Sequence, residues 1–172
     1  MMTKTLNRSI CRTDGVPSTA GAIAHEAIAV LLPHYEGRVP ASEISNFVRK
    51  SCKELGGGIN TRRVQILAVG AANKYLNFLR PTACEFVASE QVLQGCRPDL
   101  TFRSERGVFF DEIKTGKYVT KSDFAGQVAK QLVAGTSAYG SEFVGTRIVA
   151  TSAPRSSVMA FASGESLALN ET

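Results

Sequence analysis

Apolar residues recur with a helical period in the first part of the chain and with a two-residue period later. The first helix is expected to start at a Ser18 or Thr19 cap and to run to about Leu32, because Pro33 lacks the amide donor that a helix interior needs. The same apolar spacing predicts two more helices: Ala41 to Leu55 and Thr61 to Phe78. The front of the chain is therefore expected to be helical.

Beyond the third predicted helix the pattern changes to that of β-strands. Three strands are predicted: Cys84 to Leu93, Arg97 to Arg103 and Val108 to Thr115. A turn over Ser104 to Gly107 joins the last two into a hairpin. The last predicted elements are a helix over Lys121 to Ala134 and a strand over Thr146 to Thr151, and the tail from Pro154 onward has an ambiguous pattern. The predicted order is α-α-α-β-β-β-α-β, a mixed α/β chain of the α+β kind.

The predicted hairpin brings two carboxylates and a lysine together. Because side chains alternate between the faces of a strand, Glu112 and Lys114 share one face, while Asp111 and Ile113 share the other. If the two strands pair, Asp99 on the first comes within reach of Glu112 on the second. Two carboxylates suit a hard cation such as Mg²⁺ or Mn²⁺. The pattern therefore indicates a metal site beside a lysine.

This set of groups is suited to hydrolysis of a phosphodiester. The ammonium of Lys114 can orient or help to deprotonate an attacking water and can offset the charge that develops on phosphorus. Lys117 follows the same strand and is a candidate phosphate contact. The alternative is a solvated strand face, but Val108, Phe110 and their neighbours make this strand apolar on both sides, where charges are costly unless paired. We therefore expect Asp99, Glu112 and Lys114 to be catalytic.

Composition narrows the class of protein. At 172 residues, with 44% hydrophobic and 20% charged residues, the chain is expected to form a single globular domain over 1–172. Its net charge of +5 lowers the cost of approaching a polyphosphate. The start of the chain lacks the apolar segment of a signal peptide, and charges interrupt its apolar stretches before the roughly 18 residues of a membrane span. A cytoplasmic protein that does not cross a membrane is expected.

Pro98-Asp99 and Glu112-Ile113-Lys114 resemble the two halves of the PD-(D/E)xK motif of a large nuclease superfamily. The resemblance extends over about Ala20 to Thr151. It implies a restriction-endonuclease-like core of order α-β-β-β-α-β, here with extra N-terminal helices. It also implies a nuclease that hydrolyses DNA with Mg²⁺ or Mn²⁺, with Asp99 and Glu112 as metal ligands.

The chain is most similar to the RecB-type branch of that superfamily. Gly21-Ala22-Ile23-Ala24-His25 resembles the branch's helix motif, which implies His25 as a further metal ligand, with Glu26 as the alternative helix ligand. The branch also has a helix glutamine at the nucleic-acid site, a role that Gln127 or Gln131 can fill, although neither is followed by tyrosine four residues later. No cysteine follows Cys96, so the iron–sulfur cluster of some RecB-like nucleases is not expected.

The sequence therefore predicts a metal-dependent nuclease acting on DNA. The alternatives are an RNA-directed nuclease, a nucleic-acid-binding or assembly subunit that has the fold but does not cut, and an unrelated α/β protein in which the motif is accidental. DNA, or RNA in the first alternative, is the expected partner. The chain is also expected to act as a homo-oligomer or within a larger DNA-processing complex.

Overall fold

The computed structural model describes residues 15–55, 60–116, 122–151 and 157–163. Its internal contacts divide the chain into two compact units, Met1–Phe78 and Leu79–Thr172. The described residues form four α-helices and one five-stranded mixed sheet, which confirms the predicted α+β class. The expectation of a single domain stays a prediction.

The first unit is built from three helices. They are α1 (Gly15–Leu31), α2 (Ala41–Glu54) and α3 (Thr61–Lys74), and a π-helical turn over Tyr75–Leu79 continues α3. The Asn60 side chain caps α3 by accepting a hydrogen bond from the Arg63 amide at 3.1 Å. Helix α1 packs against both α2 and α3 through small and branched apolar residues that are fully buried, among them Ile23, Ala27, Ile44, Val48 and Ala68.

The sequence predicted these three helices correctly, but it misplaced the start of the first. Helix α1 already includes Gly15, so neither Ser18 nor Thr19 is its cap. The Thr19 hydroxyl instead donates to the Gly15 carbonyl at 3.0 Å, one turn back in the same helix. Pro33 lies in a short 3₁₀ turn after α1, as expected of a residue that cannot continue an α-helix.

The second unit is a sheet with one long helix. Its strands are β1 (Glu85–Ser89), β2 (Leu100–Ser104), β3 (Gly107–Lys114), β4 (Phe143–Ala150) and β5 (Ser157–Ala162), and they lie side by side in that order. Only β3 and β4 pair in parallel; the other neighbours are antiparallel. A 3₁₀ turn over Ser122–Phe124 leads into α4 (Ala125–Tyr139), which lies between β3 and β4 in the chain.

Helix α4 covers the face of the sheet that carries Glu112 and Lys114. Val128 on the helix packs with Ile148 on β4 and Phe161 on β5 in a buried cluster. Gly135 lets the helix approach the sheet, because a Cβ there would collide with the Phe143 ring. The helix is therefore packed mainly on β4 and also contacts β3, the second strand of the hairpin.

Two parts of the predicted strand pattern need correction. The first strand ends at Ser89, well before the predicted Leu93, because Glu90 adopts a left-handed backbone with φ of 49° that a strand cannot continue through. The tail that was ambiguous forms β5, an uncharged strand paired with β4. The predicted starts of α4 at Lys121 and of the tail at Pro154 lie outside the described residues.

One helical stretch bears on membranes. Within the described ranges, Gly15–His34 is long and apolar enough to pass a test for a membrane span by length and composition alone, contrary to expectation from the sequence. Half of its most apolar window is buried inside the protein, and the core helix of a soluble protein passes the same test. A signal sequence near the N-terminus passes it as well, so this stretch is only weak evidence for a membrane span. A cytoplasmic location stays a prediction.

Candidate functional site

The β2–β3 hairpin places Asp99 beside Glu112. Ser104 pairs with Gly107 across a two-residue turn, and Leu100 pairs with Asp111. Asp99 directly precedes β2, and Glu112 directly follows Asp111 on β3. The Asp99 carboxylate accepts a hydrogen bond from the Ile113 amide at 2.7 Å, which fixes it against β3 directly after Glu112.

Glu112 is a buried carboxylate with a partner on each oxygen. Only 5% of the residue is exposed. Its Oε1 accepts from Lys114 Nζ at 2.7 Å, and its Oε2 accepts from Gln131 Nε2 at 2.6 Å. A buried charge is costly unless it is paired and hydrogen-bonded, so these two contacts allow an ionised carboxylate to lie beneath α4.

Lys114 is held from three sides. Its ammonium donates to Glu112 and also to Gln127 Oε1, at 2.9 Å. It lies 5.1 Å from the centre of the Phe124 ring, within the range of a cation–π interaction. The Lys114 side chain is 23% exposed, so Lys114 is the more accessible charge of the Lys114–Glu112 ion pair.

The two glutamines of α4 reach the site because they are one helical turn apart and both face the sheet. Gln127 contacts Lys114, whereas Gln131 is buried and contacts Glu112. The Oε1 atom of Gln131 accepts a hydrogen bond from the hydroxyl of Thr146 on β4 at 2.7 Å. Sequence reasoning missed Thr146. The available signal was a polar residue inside an apolar strand, which needs a buried partner.

Cys96 lies close to the same carboxylate. Burial raises the pKa of the Cys96 thiol, and the negative charge of Glu112 raises it further. The thiol is therefore neutral at neutral pH, and it adds no negative charge to the site.

The opposite face of the hairpin holds a second ion pair, which the sequence did not suggest. Asp111 is fully buried and binds Arg147 on β4 through two parallel hydrogen bonds of 2.6 Å. The guanidinium also lies 5.4 Å from the centre of the Phe109 ring. This pair joins β3 to β4, on the face away from Glu112.

The remaining predicted site residues lie either in the first unit or outside the described residues. His25 and Glu26 lie half-buried on α1, in the first unit. Lys117 lies outside the described residues. No group of three or more His, Cys, Asp and Glu side chains that could hold a metal ion occurs in the ranges that the structure describes. The three-ligand set of His25, Asp99 and Glu112 thus stays a prediction.

The donor chemistry of the hairpin suits a hard divalent cation. Asp99 and Glu112 supply carboxylate oxygens, the ligands that Mg²⁺ and Mn²⁺ take. Each Glu112 oxygen accepts one hydrogen bond and has a second lone pair with which it can bind a cation. The second unit by itself brings together five of the predicted site residues: Asp99, Glu112, Lys114, Gln127 and Gln131.

Comparison with known proteins adds no assignment to this geometry. No protein-family model matches the chain. No curated protein matches it either.

Proposed function

We propose that this chain is a metal-dependent nuclease of the PD-(D/E)xK type that hydrolyses DNA phosphodiester bonds. The observation that carries the proposal is the buried Glu112 carboxylate, which accepts a hydrogen bond from Lys114 and is followed by Ile113, whose amide binds the Asp99 carboxylate. The cost of burying the Glu112 charge is hard to explain by stability alone, because an apolar replacement of a buried ion pair is often as stable.

Each residue of the site has a proposed role. Asp99 and Glu112 would hold Mg²⁺ or Mn²⁺, which activates water and polarises the phosphate when bound. Lys114 orients the attacking water and stabilises the negative charge that grows on the phosphate oxygens.

Gln127 holds the Lys114 ammonium in place through its Oε1 atom. Gln131 fixes the direction of the Glu112 carboxylate. Gln127 and Lys117 are the proposed contacts to nucleic acid, whereas Gln131, which was predicted as a third, is only 1% exposed and acts through Glu112 instead.

The first test compares the purified chain on matched DNA and RNA strands, single-stranded, duplex and branched, with Mg²⁺, Mn²⁺ or a chelator. We expect cleavage of DNA that requires the metal and stops with the chelator. Cleavage of RNA alone would reassign the substrate.

Binding without cleavage would favour a different role. The observation in favour of a non-cleaving subunit is that Lys114 and Gln131 compensate the buried Glu112 carboxylate through hydrogen bonds within the protein. In that role, the chain would bind nucleic acid within a larger DNA-processing complex or as a homo-oligomer.

The ligand on the first helix is tested separately. We propose His25 as the third metal ligand, since its imidazole favours Mn²⁺ over Mg²⁺ more than a carboxylate does. His25→Ala should then raise the Mn²⁺ concentration needed for half-maximal cleavage by about 10-fold, while Glu26→Ala changes it little. Titrations of cleavage against metal concentration measure both. The opposite order would assign the ligand to Glu26 and remove the RecB-type assignment, leaving Asp99, Glu112 and Lys114 in their roles.

A further inference from the structure

Thr146 lies at the inner end of a buried chain of polar side chains. Its hydroxyl donates to Gln131 Oε1 at 2.7 Å, and Gln131 Nε2 donates to Glu112 Oε2 at 2.6 Å. Thr146 and Gln131 are each only 1% exposed, and Glu112 is 5% exposed. Water therefore has almost no access to these groups, and each hydrogen bond must be supplied by the protein.

The chain of contacts has a fixed direction. An ionised carboxylate only accepts hydrogen bonds, so Gln131 must turn its NH₂ group toward Glu112. The amide oxygen then points into the sheet, where it needs a donor. Thr146 supplies that donor, and the sheet register places it there because Thr146 pairs with Phe110, two residues before Glu112 on β3.

We propose that Thr146 is a positioning residue for the nuclease reaction, acting through Gln131 to hold the Glu112 carboxylate in its working direction. The proposal rests on the proposed function and names a residue outside the motif. Without the hydroxyl, Gln131 Oε1 is buried with no donor, and the amide turns away to find one. Glu112 then loses its second partner and is held by Lys114 alone.

The fold supplies a matched control. Thr101 on β2 pairs with Phe110 from the other side, so the two threonines flank the same residue on the same face of the sheet. Thr101 is also fully buried. Its hydroxyl, however, makes no hydrogen bond to any residue that the structure describes. Substituting valine at either position removes a buried hydroxyl from the same face of the sheet, and only the Thr146 hydroxyl contacts Gln131.

The experiment compares Thr146→Val, Thr146→Ser and Thr101→Val by steady-state cleavage. We expect Thr146→Val to lower kcat by about 10- to 100-fold with little change in KM, the range found when the hydrogen-bond partners of metal ligands are removed. Thr146→Ser keeps the hydroxyl and should recover most of kcat. Thr101→Val should leave kcat within about twofold of the unsubstituted chain, since it removes no partner of Gln131.

Two further measurements separate positioning from simple destabilisation. In a Gln131→Met background, Thr146→Val should cause no additional loss, because the residue through which it acts is gone. If the valine variant does not fold, Thr146→Ala replaces it. Equal kcat in Thr146→Val and Thr101→Val would overturn the proposal, as would full additivity with Gln131→Met.

The failure of the proposed function would give a different result. If the unsubstituted chain cuts nothing, the side-chain NH₂ resonances of Gln131 still report on the contact. Slow exchange of these protons in the unsubstituted chain and in Thr146→Ser, with fast exchange in Thr146→Val, would support the positioning. Equal exchange in all three would refute it.

Discussion

Replacement of Glu112 by glutamine is expected to abolish cleavage, with a loss of roughly 10³-fold or more in kcat. Glutamine keeps the shape of the side chain but removes the negative charge that pairs with Lys114 and would bind the cation. Because Lys114 is partly exposed, its ammonium can be solvated in the variant, and the chain should remain folded. Metal-dependent cleavage assays and thermal unfolding of the same samples test both statements.

The same substitution at a surface glutamate serves as the control. Glu142 forms a 2.7 Å ion pair with Arg103, but both side chains are about half exposed. Solvent-exposed pairs contribute about 0 to 1 kcal/mol, so Glu142→Gln should alter neither cleavage nor stability appreciably. Cleavage by Glu112→Gln at the rate of the Glu142→Gln variant would remove Glu112 from the active site. In the same series, Lys114→Met should lose turnover while it retains nucleic-acid binding.

The second large effect concerns stability. Asp111→Asn is expected to lower the free energy of unfolding by about 3 to 5 kcal/mol, because it leaves the Arg147 charge without its counter-ion. This pair lies on the face of β3 away from Glu112. The fully buried carboxylate makes two hydrogen bonds to that guanidinium, and asparagine can accept only one of them. Denaturant unfolding monitored by circular dichroism measures the loss.

The double variant Asp111→Asn/Arg147→Met separates the broken pair from other causes. It removes both charges, and the methionine keeps part of the apolar stem of arginine, so it should be more stable than Asp111→Asn alone. A loss below about 1 kcal/mol in Asp111→Asn would contradict the structural role of the pair. The face of β3 that carries Asp111 would then contribute less to stability than the burial of Asp111 indicates.

Much of the fold follows from local signals in the sequence. The helices α2 and α3 have strong periodic spacing, and the β2–β3 hairpin follows from alternation plus a short turn. The parallel pairing of β3 with β4 has no local signal, because its partners lie far apart in the chain and come together only through the sheet. For that reason the Asp111–Arg147 pair and the role of Thr146 emerge from the structure alone.

Strand β5 was missed for a related reason. Its six residues are Ser, Val, Met, Ala, Phe and Ala, a composition in which alanine and methionine favour helices as readily as strands. Pairing with β4 decides the outcome, and pairing is not a local property. By contrast, the alternation of side chains within one hairpin was enough to predict Asp99, Glu112 and Lys114 as site residues. Gln127 and Gln131 came from resemblance, and the sequence did not show that both contact the Glu112–Lys114 pair.

The short turn between β2 and β3 also has a consequence for the order of folding. A two-residue connection closes with little loss of chain entropy, whereas β3 and β4 must find each other across the whole of α4. The hairpin that carries Asp99 and Glu112 therefore has local contacts available before the parallel pairing is complete. Thr146 and its contact with Gln131 depend on the later step. We therefore expect Asp99 and Glu112 to come together early in folding. The contact between Thr146 and Gln131 should form only when β3 pairs with β4, the slower step.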